Sequence, residues 1–185
     1  MFVLKKASIV NMVLAALGAA LISVCSWVSI PMTVPFTLQT FAVFCVLVAF
    51  GYKVGLSSIV VYILIGAIGL PVFSNFQSGI GALLGATGGY IVGFIFIGIA
   101  YAVAQKLFPN KIIAEIIALL VGLLICYTFG TFWFMFVYTK NTGAITLSTA
   151  LSWCVLPFII PDIIKMLLAV LISNKLKPIL IKFEK

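Results

Sequence analysis

The residues best placed to do chemistry lie together in Leu156-Pro157-Phe158-Ile159-Ile160-Pro161-Asp162-Ile163-Ile164-Lys165. Asp162 is one of three acidic residues in the chain, and Lys165 follows three positions later. The run around them is too apolar for a surface loop. A charge at the centre of a membrane helix costs about 2.5–3.5 kcal/mol on insertion scales, so such a pair persists where something binds. Pro161 suits the first turn of a helix, where its missing N–H is harmless. That start predicts Asp162 in the first turn, beside the positive end of the dipole, with Lys165 on the same face. The chemistry on offer is binding rather than catalysis. One embedded carboxylate, one embedded amine and no His anywhere make a thin catalytic kit. A plainer reading also stands: the two charges neutralise each other and anchor the helix at the membrane interface.

Composition says what must position them. The chain has 185 residues, 65% hydrophobic and 8% charged. That much apolar surface fits lipid rather than water as solvent. Backbone groups in lipid must satisfy one another, and long apolar runs without alternation select helices over a barrel. The predicted fold is all-α: one domain, residues 1–185, forming an integral membrane bundle of six transmembrane helices. The net charge of +8 comes from eleven Lys and no Arg. These Lys sit between apolar runs and form no basic face, which argues against nucleic-acid binding. The absence of His also removes the usual metal ligand, and no metal site is predicted. Cys25, Cys45, Cys126 and Cys154 are scattered, without a CxxC, and read as small hydrophobes. No Walker motif is present, so any ATP-driven step belongs to another chain.

Helices are predicted over 9–27, 38–50 and 56–70, then one ending near Lys106, then 112–138 and 161–174. Lys5-Lys6 before an apolar run resembles a signal peptide, and Ile22-Ser23-Val24-Cys25 hints at a lipoprotein cleavage site. Val24 is too bulky before that Cys, and more spans follow, so an uncleaved first helix is the reading. Its Ala15/Ala19 and Ala16/Ala20 pairs flank Gly18 and form a small-residue stripe, suited to internal packing or to a partner. Residues 30–37 hold two prolines and should be extended. Gly51 to Gly55 reads as a tight turn. Ser74, Asn75, Gln77 and Ser78 form the largest cluster of neutral polar side chains, with Phe73 and Phe76 interleaved. Gly81, Gly85, Gly89 and Gly93 recur every fourth residue, which predicts one flat packing face. Pro109-Asn110-Lys111 and Lys140-Asn141-Thr142-Gly143 are turns, and 146–156 is a short helix lying at the interface or dipping into the bilayer.

Six spans put both termini on one face. That face collects Lys5, Lys6, Lys53, Lys106, Lys111, Lys175, Lys177, Lys182 and Lys185, against Lys140 and Lys165 on the other. The positive-inside rule then makes both termini cytoplasmic. The 31–37 loop, the 74–78 loop and the Asp162/Lys165 segment fall together on the outer side. Their convergence predicts a pocket open outward. Asn75, Gln77, Gln39, Asp162 and Lys165 are its candidate polar contacts. Trp133, Tyr90, Phe36, Phe73 and Phe76 are candidate walls, though lone aromatics at helix ends also serve as interface belts.

Val34-Pro35-Phe36-Thr37-Leu38-Gln39-Thr40 resembles a sequence near the second helix of the BioY biotin-transport family. So do Gly66-Ala67-Ile68-Gly69-Leu70-Pro71-Val72-Phe73 and Gly85-Ala86-Thr87-Gly88-Gly89-Tyr90, while 156–165 resembles its closing motif. Ala86 stands where that pattern has Pro, and Pro161 where Gly is common. The resemblance implies a substrate-capturing S component of an energy-coupling factor transporter in a bacterial cell membrane. It implies biotin as transported ligand, no cofactor, and partnership with a transmembrane coupling T component and two ATPase subunits. It also implies that the Ala15, Ala16, Ala19, Ala20 stripe faces the coupling protein. Asp162 would accept from the ureido N–H groups of biotin, and Lys165 would meet its carboxylate or its ureido carbonyl. One alternative keeps this architecture as an S component for another vitamin, and two rival classes differ in kind: a membrane enzyme using Asp162 and Lys165, and a ligand-free assembly subunit.

Overall fold

The computed structural model describes residues 6–109 and 111–184, with side chains over 9–109 and 111–177. Lys5, Asn110 and Lys185, and the side chains of Lys6 and Lys182, lie outside the described residues. The chain folds as helix α1 (Lys6–Trp27), strands β1 (Ser29–Ile30) and β2 (Phe36–Thr37), and helices α2 (Gln39–Ala49) and α3 (Gly51–Ala67). A single 3-10 turn (Ser74–Phe76) leads to α4 (Gly79–Leu84) and α5 (Gly88–Leu107). Helices α6 (Ile112–Asn141), α7 (Leu147–Cys154) and α8 (Leu156–Glu184) complete it. The all-α expectation holds apart from one two-residue ribbon, Ser29 opposite Thr37 and Ile30 opposite Phe36.

Among the described residues, four helical stretches are long and apolar enough to cross a bilayer: 9–27, α5, α6, and 147–177, which joins α7 to α8. Helices α2 and α3 have 11 and 17 residues. At 1.5 Å per residue α2 covers about 16 Å, roughly half of a ~30 Å hydrocarbon core. It is instead enclosed by protein. Val43, Phe44, Val46, Leu47 and Val48 are fully buried, and α2 packs on α8, α3 and α1. A helix wrapped by others need not satisfy lipid along its length.

Three local expectations change. The turn after α2 is tighter than predicted: Gly51 takes φ +76 and the next helix resumes at once, so Tyr52 to Gly55 are helical. The glycine stripe is not one face. Helix α4 stops at Leu84, Gly85 is extended, and α5 begins at Gly88. Trp133 Nε1 donates to the Gly85 carbonyl at 2.9 Å and holds that break open. Gly81 borders open space, while a Cβ on Gly89 or Gly93 would collide with Trp133 or Cys126 of α6. Helix α8 starts at Leu156, so Pro157 takes the first-turn place assigned to Pro161. Asp162 therefore lies beyond the first turn, and the dipole argument does not reach it.

The helices alternate in direction. Trp27 Nε1 donates to the Pro71 carbonyl at 2.9 Å, and Ser26 Oγ to that of Val72, tying the end of α1 to the segment after α3. Lys177 meets Glu115 at 2.6 Å, tying the end of α8 to the start of α6. One end of the bundle thus carries the ribbon, the 73–78 segment, the α4–α5 corner and α7. The other carries Lys53, Lys106, Lys111 and Lys177.

Candidate functional site

Asp162 and Lys165 sit on the inward face of α8, 2% and 7% exposed. Helical spacing of three brings Lys165 Nζ to 2.8 Å from Asp162 Oδ1. The ribbon and the first turn of α2 close over them. Lys165 Nζ donates to the Thr37 carbonyl at 2.7 Å and to Thr40 Oγ1 at 3.3 Å. It lies 4.1 Å from the centre of the Phe36 ring, which stacks on Phe158 at 6.0 Å. Thr40 Oγ1 donates to Asp162 Oδ1 at 2.9 Å, and Tyr127 Oη of α6 donates to Oδ2 at 2.6 Å. Each donor of the ammonium is used. The carboxylate keeps one acceptor position on Oδ2.

This cluster lines a cavity of about 80 Å³, room for roughly three waters at ~30 Å³ each. Its walls include Val34, Pro35, Phe73, Ile91, Phe94 and Phe158, so it is mostly apolar with few polar points. Gln39, 6% exposed, donates through Nε2 to Tyr62 Oη at 2.6 Å, and Tyr62 meets Phe73 edge to face at 5.5 Å. Tyr90 bonds Thr131 at 3.0 Å, and its ring lies where a Cβ on Gly130 would clash, so the bare glycine admits it between α5 and α6. Ser74 Oγ is buried and has no hydrogen-bond partner, although Ser74 lines the cavity. Gln77 is exposed at the mouth, which it shares with Thr87.

Five of the eight predicted ligand residues therefore line one cavity: Gln39, Gln77, Tyr90, Asp162 and Lys165. Phe36 lies just behind it, under Lys165. Asn75 and Trp133 are placed elsewhere. Asn75 is exposed in the left-handed region (φ 55), its Oδ1 accepting from Ser29 Oγ at 3.1 Å. Trp133 is spent on the α4–α5 break. Phe76, a proposed wall, stacks on Trp27 at 5.3 Å. Thr40, Tyr127 and Ser74 line the cavity too, beyond the contacts expected from the sequence. Thr40 and Ser74 stand inside quoted motifs, whereas Tyr127 lies in a featureless apolar helix and gave no signal. The stripe on α1 divides. Ala15 and Ala19 are buried, with Gly18 against Ser58 of α3, whereas Ala16 and Ala20 are exposed. Among the described residues no group of His, Cys, Asp and Glu could hold a metal ion.

Comparison with known proteins places this arrangement. The BioY family model matches residues 3–182. The biotin transporter BioY of Thermotoga maritima is 38% identical over 169 residues, covering 90% of this chain and 95% of that one. The probable biotin transporter BioY of Pyrococcus horikoshii is 39% identical over 165 residues, covering 89% and 94%. The fold matches the crystal structure of the S-component for biotin from an ECF-type ABC transporter, with TM-score 0.82 and 24% identity over 96% of this chain and 95% of that one. With the family model spanning nearly its whole length, this chain belongs to the BioY family.

Proposed function

We propose that this chain captures biotin and serves as the S component of an energy-coupling factor transporter, with no catalytic activity of its own. The observation that carries the reading is the buried Asp162–Lys165 pair on the wall of a mostly apolar cavity. The remaining acceptor position on Asp162 Oδ2 suits a ureido N–H. Lys165 has no spare donor, so a carbonyl or carboxylate on the ligand replaces its longest contact, the one to Thr40 Oγ1 at 3.3 Å. Ser74 Oγ supplies a further polar point, and Phe73, Tyr90 and Phe158 supply walls for the thioether ring.

In this reading the cavity end of the bundle faces outward and the lysine-bearing end faces the cytoplasm, with both termini there. All six of α1, α2, α3, α5, α6 and α8 traverse the bacterial membrane, α2 as an enclosed segment. Ala16 and Ala20, exposed beside Met12 and Leu17, form the contact with the coupling T component, which works with two ATPase subunits. Calorimetry of the purified chain with biotin, riboflavin and thiamine tests the assignment. Heat with biotin alone is expected. Heat only with another vitamin would reassign the ligand, and none with any would favour an assembly role.

A further inference from the structure

A second, larger concavity shares no lining residue with the Asp162 cavity. It is a groove of about 830 Å³ between the end of α5 and the first half of α6. Ala100, Ala104, Ala114 and Ala118 form its floor. Exposed side chains, Val103 and Leu107 on one side and Ile117 and Val121 on the other, form its ridges. From Ile112 to Ile125 it runs about 20 Å along α6, comparable with the ~15 Å hydrocarbon depth of one leaflet. Among the described residues its lining holds one charge, Lys111, at the α5–α6 loop. The nearby carboxylate of Glu115 is buried and paired with Lys177, so it does not offset Lys111 within the groove. A long apolar trough with a cation at its loop end has the chemistry of a lipid with an anionic head. A protein helix would leave that cation without a counter-charge unless it brought an acid.

We propose that the α5–α6 groove binds an anionic phospholipid, one acyl chain lying over the alanine floor and the headgroup phosphate meeting Lys111. Lysine near a membrane surface favours an anionic headgroup about fivefold. Ala104→Leu fills the floor. Lys111→Gln removes the charge and keeps the trough. Native mass spectrometry of the full chain, released from micelles doped with equal phosphatidylglycerol and phosphatidylcholine, reads both effects. The wild type should retain phosphatidylglycerol about fivefold over phosphatidylcholine. Lys111→Gln should lose that preference while still carrying lipid, and Ala104→Leu should carry less of both. Lys140→Gln, in the last turn of α6 at the opposite end of the bundle, should behave as wild type, and a melting curve checks that each variant is folded. Equal retention of the two lipids by the wild type would overturn the proposal. So would a preference that survives Lys111→Gln, or undiminished lipid on folded Ala104→Leu.

Discussion

Helix α8 carries two acid–lysine pairs, and they are built differently. Near its start, Lys165 meets Asp162 at 2.8 Å. About 18 Å further along, Lys177 meets Glu115 of α6 at 2.6 Å. Both carboxylates are almost fully buried. Asp162 has hydroxyl partners on both oxygens, Thr40 and Tyr127, and faces a cavity. Glu115 receives Gln105 and Lys177 on Oε1 only, its Oε2 is unpartnered, and Lys177 remains partly exposed. The Glu115 cluster joins α5, α6 and α8, and Glu115 lines neither the Asp162 cavity nor the α5–α6 groove. Embedded charge by itself therefore does not mark a ligand site. The Asp162 pair differs in facing a cavity, whereas a spare acceptor is common to both carboxylates.

The contrast can be broken by substitution, and the largest effect belongs to Asp162. Asp162→Asn should weaken biotin binding at least about tenfold, and titration of the purified variant reads it. Because removing one member of a buried pair strands the other, it should also lower the melting temperature. Tyr127→Phe leaves the pair intact and deletes only the bond to Oδ2. A hydrogen bond to a charged group contributes about 1.5–3 kcal/mol to the folded state, so Tyr127→Phe should lower the melting temperature while costing less affinity than Asp162→Asn. An affinity loss as large as that of Asp162→Asn would mean that Tyr127 itself meets the ligand. Ser74→Ala should lose about twofold to fivefold, the scale of one neutral hydrogen bond of roughly 0.5–1 kcal/mol. Glu115→Gln should leave affinity unchanged while destabilising the chain by about 1–2 kcal/mol, since its lysine is partly solvated. An affinity loss there matching that of Asp162→Asn would erase the distinction between the two pairs.

Much of this was legible in the residues. The apolar runs, the asymmetry of the lysines and the motif at 156–165 pointed to a helical membrane bundle with a pocket at one end. Where the reading went astray, a local rule met a competitor further along the chain. Proline favours a first turn, but 156–165 holds two prolines, and the earlier one begins the helix. Four-residue glycine spacing predicts a face only if the helix is continuous, and Trp133 lies 48 residues from the carbonyl it pulls out at Gly85. The hydroxyl of Tyr127 reaches Asp162 across 35 residues, a pairing that helix packing alone creates. Helix α2 is too short for a lipid-facing span, and its enclosure depends on its neighbours rather than on its own hydrophobicity.

Equilibrium dialysis of labelled biotin against the detergent-purified chain, wild type beside Asp162→Asn and without partner subunits, tests the central claim most directly. Saturable retention by the wild type, reduced about tenfold or more in a folded Asp162→Asn protein, is the predicted result. Retention unchanged by the substitution, or none by the folded wild type, would contradict it.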